Sequence, residues 1–398
     1  MTCLTFQVRM TSFRCRENGY QAIFGPGTSG ERKALPKRFP PAGLNEEKSM
    51  QKFSGFDSLG IFFFLVACPL VTAADDKPAD KKTLDGRDRT SRIAPVIHVA
   101  AGLNTDGKLV RHYRRGLDYA IKYFGNYGPY HVYLLGPDSE ASVRKIYRQR
   151  AASRVDPQSE IPAEKQIEAY LRRPNVLDEI EAVLSGKAEG GLTWTQDPPK
   201  LYEDVTTNAK GREKDPLENT WGALHEYHHV FQMAHCDTRL KRDSEKNIPS
   251  WIAEGMASYS SARFMDNLGL VDSRAYLLEL RKTGGNIGRP GINEFLTRNK
   301  DWQLQDESYW DSGQAPQVYY MLGAWATAYL IHGLGVDEVT VLKTWYQDIP
   351  RLGKSAAFEK HMGIPLDEFH TRFRRFILQS DKDVMKIFEA TASQDRVR

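Results

Sequence analysis

Five consecutive residues, His225-Glu226-Tyr227-His228-His229, combine imidazoles and a carboxylate in an H-E-x-x-H pattern that can hold a metal ion and use it. They lie in ENTWGALHEYHHVFQMAH, a strongly helical segment. Positions 225 and 229 are one helical turn apart, so both rings leave the same face. Two imidazoles so placed can bind one Zn²⁺ through ring nitrogens at about 2.0–2.1 Å. Glu226 is turned by about 100° around the helix axis. It stands beside the ion without ligating it, where a general base for metal-activated water has to be. His228 could compete as a ligand, but the i,i+4 pair with the glutamate inside it favours His229.

A zinc site needs a third protein ligand. Downstream, residues 248–259 read IPSWIAEGMASY. Pro249 or Ser250 opens a helix and places Glu254 in its second turn. A carboxylate on so apolar a stretch is costly to bury unless it is paired or metal-bound. Two histidines and one glutamate leave a fourth position for water, the arrangement of a catalytic ion rather than a closed structural one.

H-E-x-x-H, then Glu254 after 24 intervening residues within W-I-A-E-G-M-A-S-Y, resembles the gluzincin metallopeptidases, in particular the aminopeptidase-N-like clan with its W-x-x-E-G-x-A motif. The likeness spans about residues 190–380; the tail AAFEKHMGIPLDEFHTRFRRFI (356–377) resembles the helical ending of small members. It implies an α+β, zincin-like fold, peptide-bond hydrolysis, His225, His229 and Glu254 as Zn²⁺ ligands and Glu226 as the base. The clan also uses a tyrosine, often in Y-x-x-G, against the oxyanion of the tetrahedral intermediate. Tyr320-Met321-Leu322-Gly323 fits that form, with Tyr319 as the alternative and His332 after it. Thermolysin-like members carry an aspartate four residues past the glutamate ligand to orient a histidine; here that place holds Ser258.

Gly190-Gly191-Leu192-Thr193 could offer backbone N–H and C=O groups to an extended peptide. The acidic residues with which aminopeptidases grip a free amine are missing there, so an endopeptidase is at least as good an expectation. The competing expectation, from another class, is a binding or scaffold protein with a vestigial or structural zinc site. A further option is zinc-assisted hydrolysis of a non-peptide amide or ester.

The elements that must position these groups are legible in outline. Strands are expected over 94–102, 130–135 and 190–195. Helices are expected over 109–125, 138–151 and 162–185, the last interrupted at Pro174. From 216 the pattern is almost wholly helical: 216–235, 249–265, 271–282, 316–334, 336–347 and 366–379. A small N-terminal sheet followed by a helix-rich half reads as α+β. His235, His361 and His370 are expected to be surface or satisfied residues, and residues 240–247 a solvated loop.

Composition bounds the partners. The chain has 398 residues, 27% charged and 40% hydrophobic, enough for a sizeable core and too polar for a multi-span membrane protein. The net charge of +4 sits wholly in residues 1–73, with nine basic and five acidic side chains; the remainder balances at 46 of each. A balanced body offers no field for nucleic acid. Of four cysteines only Cys236 lies in the body, so no disulfide forms there.

Residues 59–74 form an apolar stretch too short to span a membrane and broken by Pro69, followed by small residues and a charged run. That order reads as a signal peptide over 50–73, cleaved after Ala73. A second reading is a lipoprotein signal, in which Leu65-Val66-Ala67-Cys68 makes Cys68 the anchored N-terminus. Either implies export to the periplasm, the outside or the cell envelope. Residues 1–49 read as a non-native extension ahead of a start at Met50, 74–92 as a polar linker, and 93–390 as the metallopeptidase-like domain.

Overall fold

The computed structural model describes residues 93–389, except 100–106, 137–138, 187–189, 195–200, 208–215, 238–239, 243, 284–290 and 306–315. The expected extension, signal, Cys68 anchor and linker lie outside the described residues. Those described belong to one unit. No helix among them is long and apolar enough to cross a membrane.

Four strands form one mixed sheet: β1 (Val96–Val99), β2 (Tyr130–Leu135), β3 (Gly190–Trp194) and β4 (Tyr202–Thr207), in the order β1-β2-β4-β3. β1, β2 and β4 run parallel, while β3 pairs antiparallel with β4 and lies at the edge. In β2 the side chains alternate between two cores. Tyr130, Val132 and Leu134 face one; Tyr133 and Leu135 face the other. A strand buried on both faces reads as a continuous apolar run, and YHVYLL does.

The smaller core is closed by α2 (Glu140–Ala152), α3 (Ala163–Leu171) and α4 (Pro174–Leu184). Pro174 starts α4 as its first residue instead of kinking one long helix, because its missing N–H is needless there. The larger core begins with α1 (Lys108–Phe124), whose Tyr113, Leu117, Ala120 and Phe124 form a buried stripe at helical spacing.

α1 lies against α5 (Pro216–His235). A Cβ on Gly116 would stand 2.4 Å from the Thr220 carbonyl oxygen, so only glycine permits this approach. α5 is followed by α6 (Ser250–Asn267), α7 (Ser273–Thr283), α8 (Ile292–Arg298) and α9 (Pro316–Ala328). α9 runs into a π-helical turn, Tyr329–Gly333, and a second π turn at Thr340–Thr344 leads into a 3₁₀ turn, Trp345–Asp348. α10 (Lys354–Met362) and α11 (Leu366–Ile377) complete the larger core with Phe358, Phe369, Phe373 and Phe376.

α5 and α6 are buried around most of their circumference. Each fully buried large apolar side chain, such as Trp251 or Phe231, contributes about 1.5–3 kcal/mol by leaving water. That surplus lets α5 keep His225, Glu226, His228, His229 and Gln232 inside, provided each finds a partner.

Candidate metal centre

α5 presents His225 and His229 on one face, and the second turn of α6 presents Glu254 opposite them. Nε2 of His225 and Nε2 of His229 are 3.1 Å apart. Oε2 of Glu254 stands 3.3 Å from the first and 3.2 Å from the second. Three lone-pair atoms thus form a nearly equilateral triangle, all at most 1–3% exposed or fully buried.

A tetrahedral ion with bonds of about 2.0–2.1 Å spaces its ligand atoms about 3.3 Å apart. The observed edges match, so the residues present fit a zinc-like ion. The second carboxylate oxygen, Glu254 Oε1, is buried with no protein hydrogen-bond partner, a cost that a bound cation would remove. Burial alone would lower the His229 pKa, but the Glu254 carboxylate beside it overrides this and raises it to about 9. Burial would lift the Glu254 carboxyl; the imidazoles instead hold it well below the usual range. Burial pushes His225 down to about 4, against Glu254, which favours its charged form. The triangle therefore wants positive charge at its centre, and a proton on His229 supplies it when nothing else does.

Glu226 is 2% exposed, adjacent in sequence to His225, and outside the ligand triangle. His225 is held between two rings: Trp221 stacks on it at 4.5 Å and Tyr320 at 5.7 Å. The structure thus brings Tyr320 to the site. It leaves Tyr319 in the core and sends His332 to a hydrogen bond with Tyr259 at 2.9 Å. His228 is also excluded: its Nδ1 meets Ser260 Oγ at 2.6 Å, and its ring packs on Phe124 at 4.6 Å.

Gly190, Gly191 and Leu192 lie on the edge strand, and α5 packs against β3. The Leu192 side chain is buried in the larger core, so only its backbone could meet a ligand. Comparisons of the chain with known protein families, with characterised proteins and with solved structures found no match.

His370 departs from the sequence reading, and Ser258 and Gln232 complete the surroundings of the site. Ser258 does not orient a histidine; its buried hydroxyl has no hydrogen-bond partner. That role falls to Gln232, whose Oε1 lies 2.8 Å from His229 Nδ1. The signal was present: a glutamine three residues past His229, on an otherwise apolar stretch, shares its face. His370 is neither at the surface nor satisfied, being 9% exposed with both ring nitrogens unpartnered. His235 is satisfied, by the Phe231 carbonyl at 2.9 Å.

Proposed function

We propose that the chain is an exported zinc-dependent metallopeptidase of gluzincin type. The observation that carries the reading is the triangle of His225, His229 and Glu254 atoms, 3.1–3.3 Å on each edge, with Glu226 outside it, buried on the same helix and acting electrostatically on His229. A structural site would need a fourth side chain; none of His, Cys, Asp or Glu joins the three among the described residues.

His225, His229 and Glu254 hold the ion, which when bound acidifies a water and polarises a carbonyl. Glu226 takes the proton from the attacking water and later passes it to the leaving amine. The Tyr320 hydroxyl donates to the oxygen on which negative charge develops. The backbone of β3 aligns the peptide as an added strand. No basic surface excess suggests nucleic acid, and the substrate is a peptide or protein.

Glu226→Gln tests this. The variant should keep one zinc per chain and lose turnover of a mixed peptide library by several orders of magnitude. Parent-like turnover in a contaminant-free preparation overturns the reading. Bound zinc in a parent that cleaves nothing supports a scaffold instead.

A further inference from the structure

Gln232 sits one turn beyond His229 on α5 and is fully buried. Its side-chain nitrogen lies 3.1 Å from the Ala253 carbonyl oxygen, 3.3 Å from that of Ile252 and 3.0 Å from the Tyr346 hydroxyl. A carbonyl oxygen only accepts, so the –NH₂ end of the amide must face α6. The amide oxygen is then the atom 2.8 Å from His229 Nδ1. It too only accepts, so Nδ1 must carry a hydrogen. That leaves Nε2, the nitrogen in the ligand triangle, as the one available to a cation. Two backbone carbonyls immediately ahead of Glu254 thereby decide which nitrogen of His229 can bind metal. Tyr346 completes the chain: it accepts from Gln232 and donates to Met256 Sδ at 3.1 Å.

We propose that Gln232 is the positioning residue of the metal centre. It fixes the tautomer and ring plane of His229 and ties α5 to the ligand-bearing turn of α6. Carboxylates often take this place beside a metal-bound histidine. An amide orients the ring without adding negative charge beside Glu226 and Glu254. It also spends both of its hydrogens on α6 and Tyr346, which a carboxylate could not do. The consequence for turnover rests on the metallopeptidase reading; the consequence for metal binding does not.

The test is zinc affinity, measured with zinc alone by competition against a chromogenic chelator. Parent, Gln232→Leu and Tyr346→Phe are compared after far-UV circular dichroism has shown each to be folded. Gln232→Leu should bind zinc about 10–100-fold more weakly, the usual cost of losing a partner behind a ligand. Tyr346→Phe keeps the ring but frees one anchor of the amide, and should lose a smaller factor in the same direction. It serves as the decisive variant if the leucine form does not fold. Nitrogen-15 spectra of the imidazoles supply a readout that a merely structural role would not move: a protected Nδ1–H on His229 in the parent, absent from the Gln232 variant. Unchanged zinc affinity in folded variants, or His229 protonated at Nε2 in the zinc-bound parent, overturns the assignment. A parent that binds zinc tightly, shows the expected losses and cleaves no peptide overturns the peptidase reading and leaves Gln232 in its role.

Discussion

Gly255 and Gly323 meet backbone to backbone where α6 crosses α9. A Cβ on Gly255 would stand 2.2 Å from the Gly323 Cα, and one on Gly323 would stand 2.3 Å from the Trp251 carbonyl oxygen. Gly255 follows Glu254, and Gly323 lies one turn after Tyr320. The contact therefore sets the separation between the Glu254 carboxylate and the phenol stacked on His225. Gly323→Ala forces the two helices apart, because backbone cannot rotate out of the way. Overpacking of this kind costs about 1–3 kcal/mol, sometimes more. Thermal unfolding should show a midpoint several degrees lower, and turnover should fall further than the folded fraction does. A midpoint equal to the parent's would mean that the helices are not so close.

Tyr320→Phe separates the hydroxyl from the ring. The phenyl group can still stack on His225, so zinc content and melting temperature should match the parent's. Loss of one oxyanion donor costs about 10²–10³ in kcat, and KM should hardly change. A kcat within a few-fold of the parent's would reduce Tyr320 to a wall of the site.

The opposite face of the sheet offers a control. Glu203 on β4 is fully buried; it accepts from Arg150 Nε at 3.3 Å and Arg154 Nε at 2.6 Å. Arg150 also bonds Glu179 at 2.7 Å. Glu203→Gln leaves two guanidinium groups short of charge in a low-dielectric site, which costs about 3–5 kcal/mol. Urea unfolding should show that loss, while turnover per folded molecule stays unchanged. Lost turnover with intact stability would place Glu203 in the active site.

His370 gives stability a pH dependence of definite sign. It lies against Trp251, 5.8 Å between ring centres, and burial lowers its pKa to about 4, opposed weakly by Asp367. Its unfolded value is about 6.5. Above 6.5 neither state binds the proton and the group is neutral to stability. Between 6.5 and 4 the unfolded chain binds more protons, so stability falls with pH, by at most about 3 kcal/mol. Chelator-treated parent and His370→Phe should be compared by urea unfolding at pH 7 and pH 4.5. The parent should lose more over that interval; parallel losses would show that His370 titrates normally.

Much of this was legible in the sequence because the helices are long and periodic. Pro216–His235 and Tyr130–Leu135 fall at the expected limits. The convergence of His225, His229 and Glu254 was legible too, because the i,i+4 spacing and the isolated carboxylate are local signals. β4 was not legible. Its YEDVTT places Glu203 and Asp204 in succession, which reads as a polar loop. The strand forms because partners distant in sequence take both carboxylates: Arg150 and Arg154 on one side, Tyr113 on the other. Gln232 escaped for the same reason, since its partners Ala253 and Tyr346 come from other elements. The two π turns carry no periodicity that would announce them.

Neighbouring acids on β4 point through the sheet in opposite directions, Glu203 to Arg150 and Arg154 in one layer and Asp204 to Tyr113 of α1 in the other. Neither layer can peel away without stranding a charge that the other cannot reach. Opening either side alone is therefore penalised, and the two halves should melt together in a single cooperative transition. The metal-site residues on α5, packed against such a sheet, are thereby held in place by the rigidity of the whole.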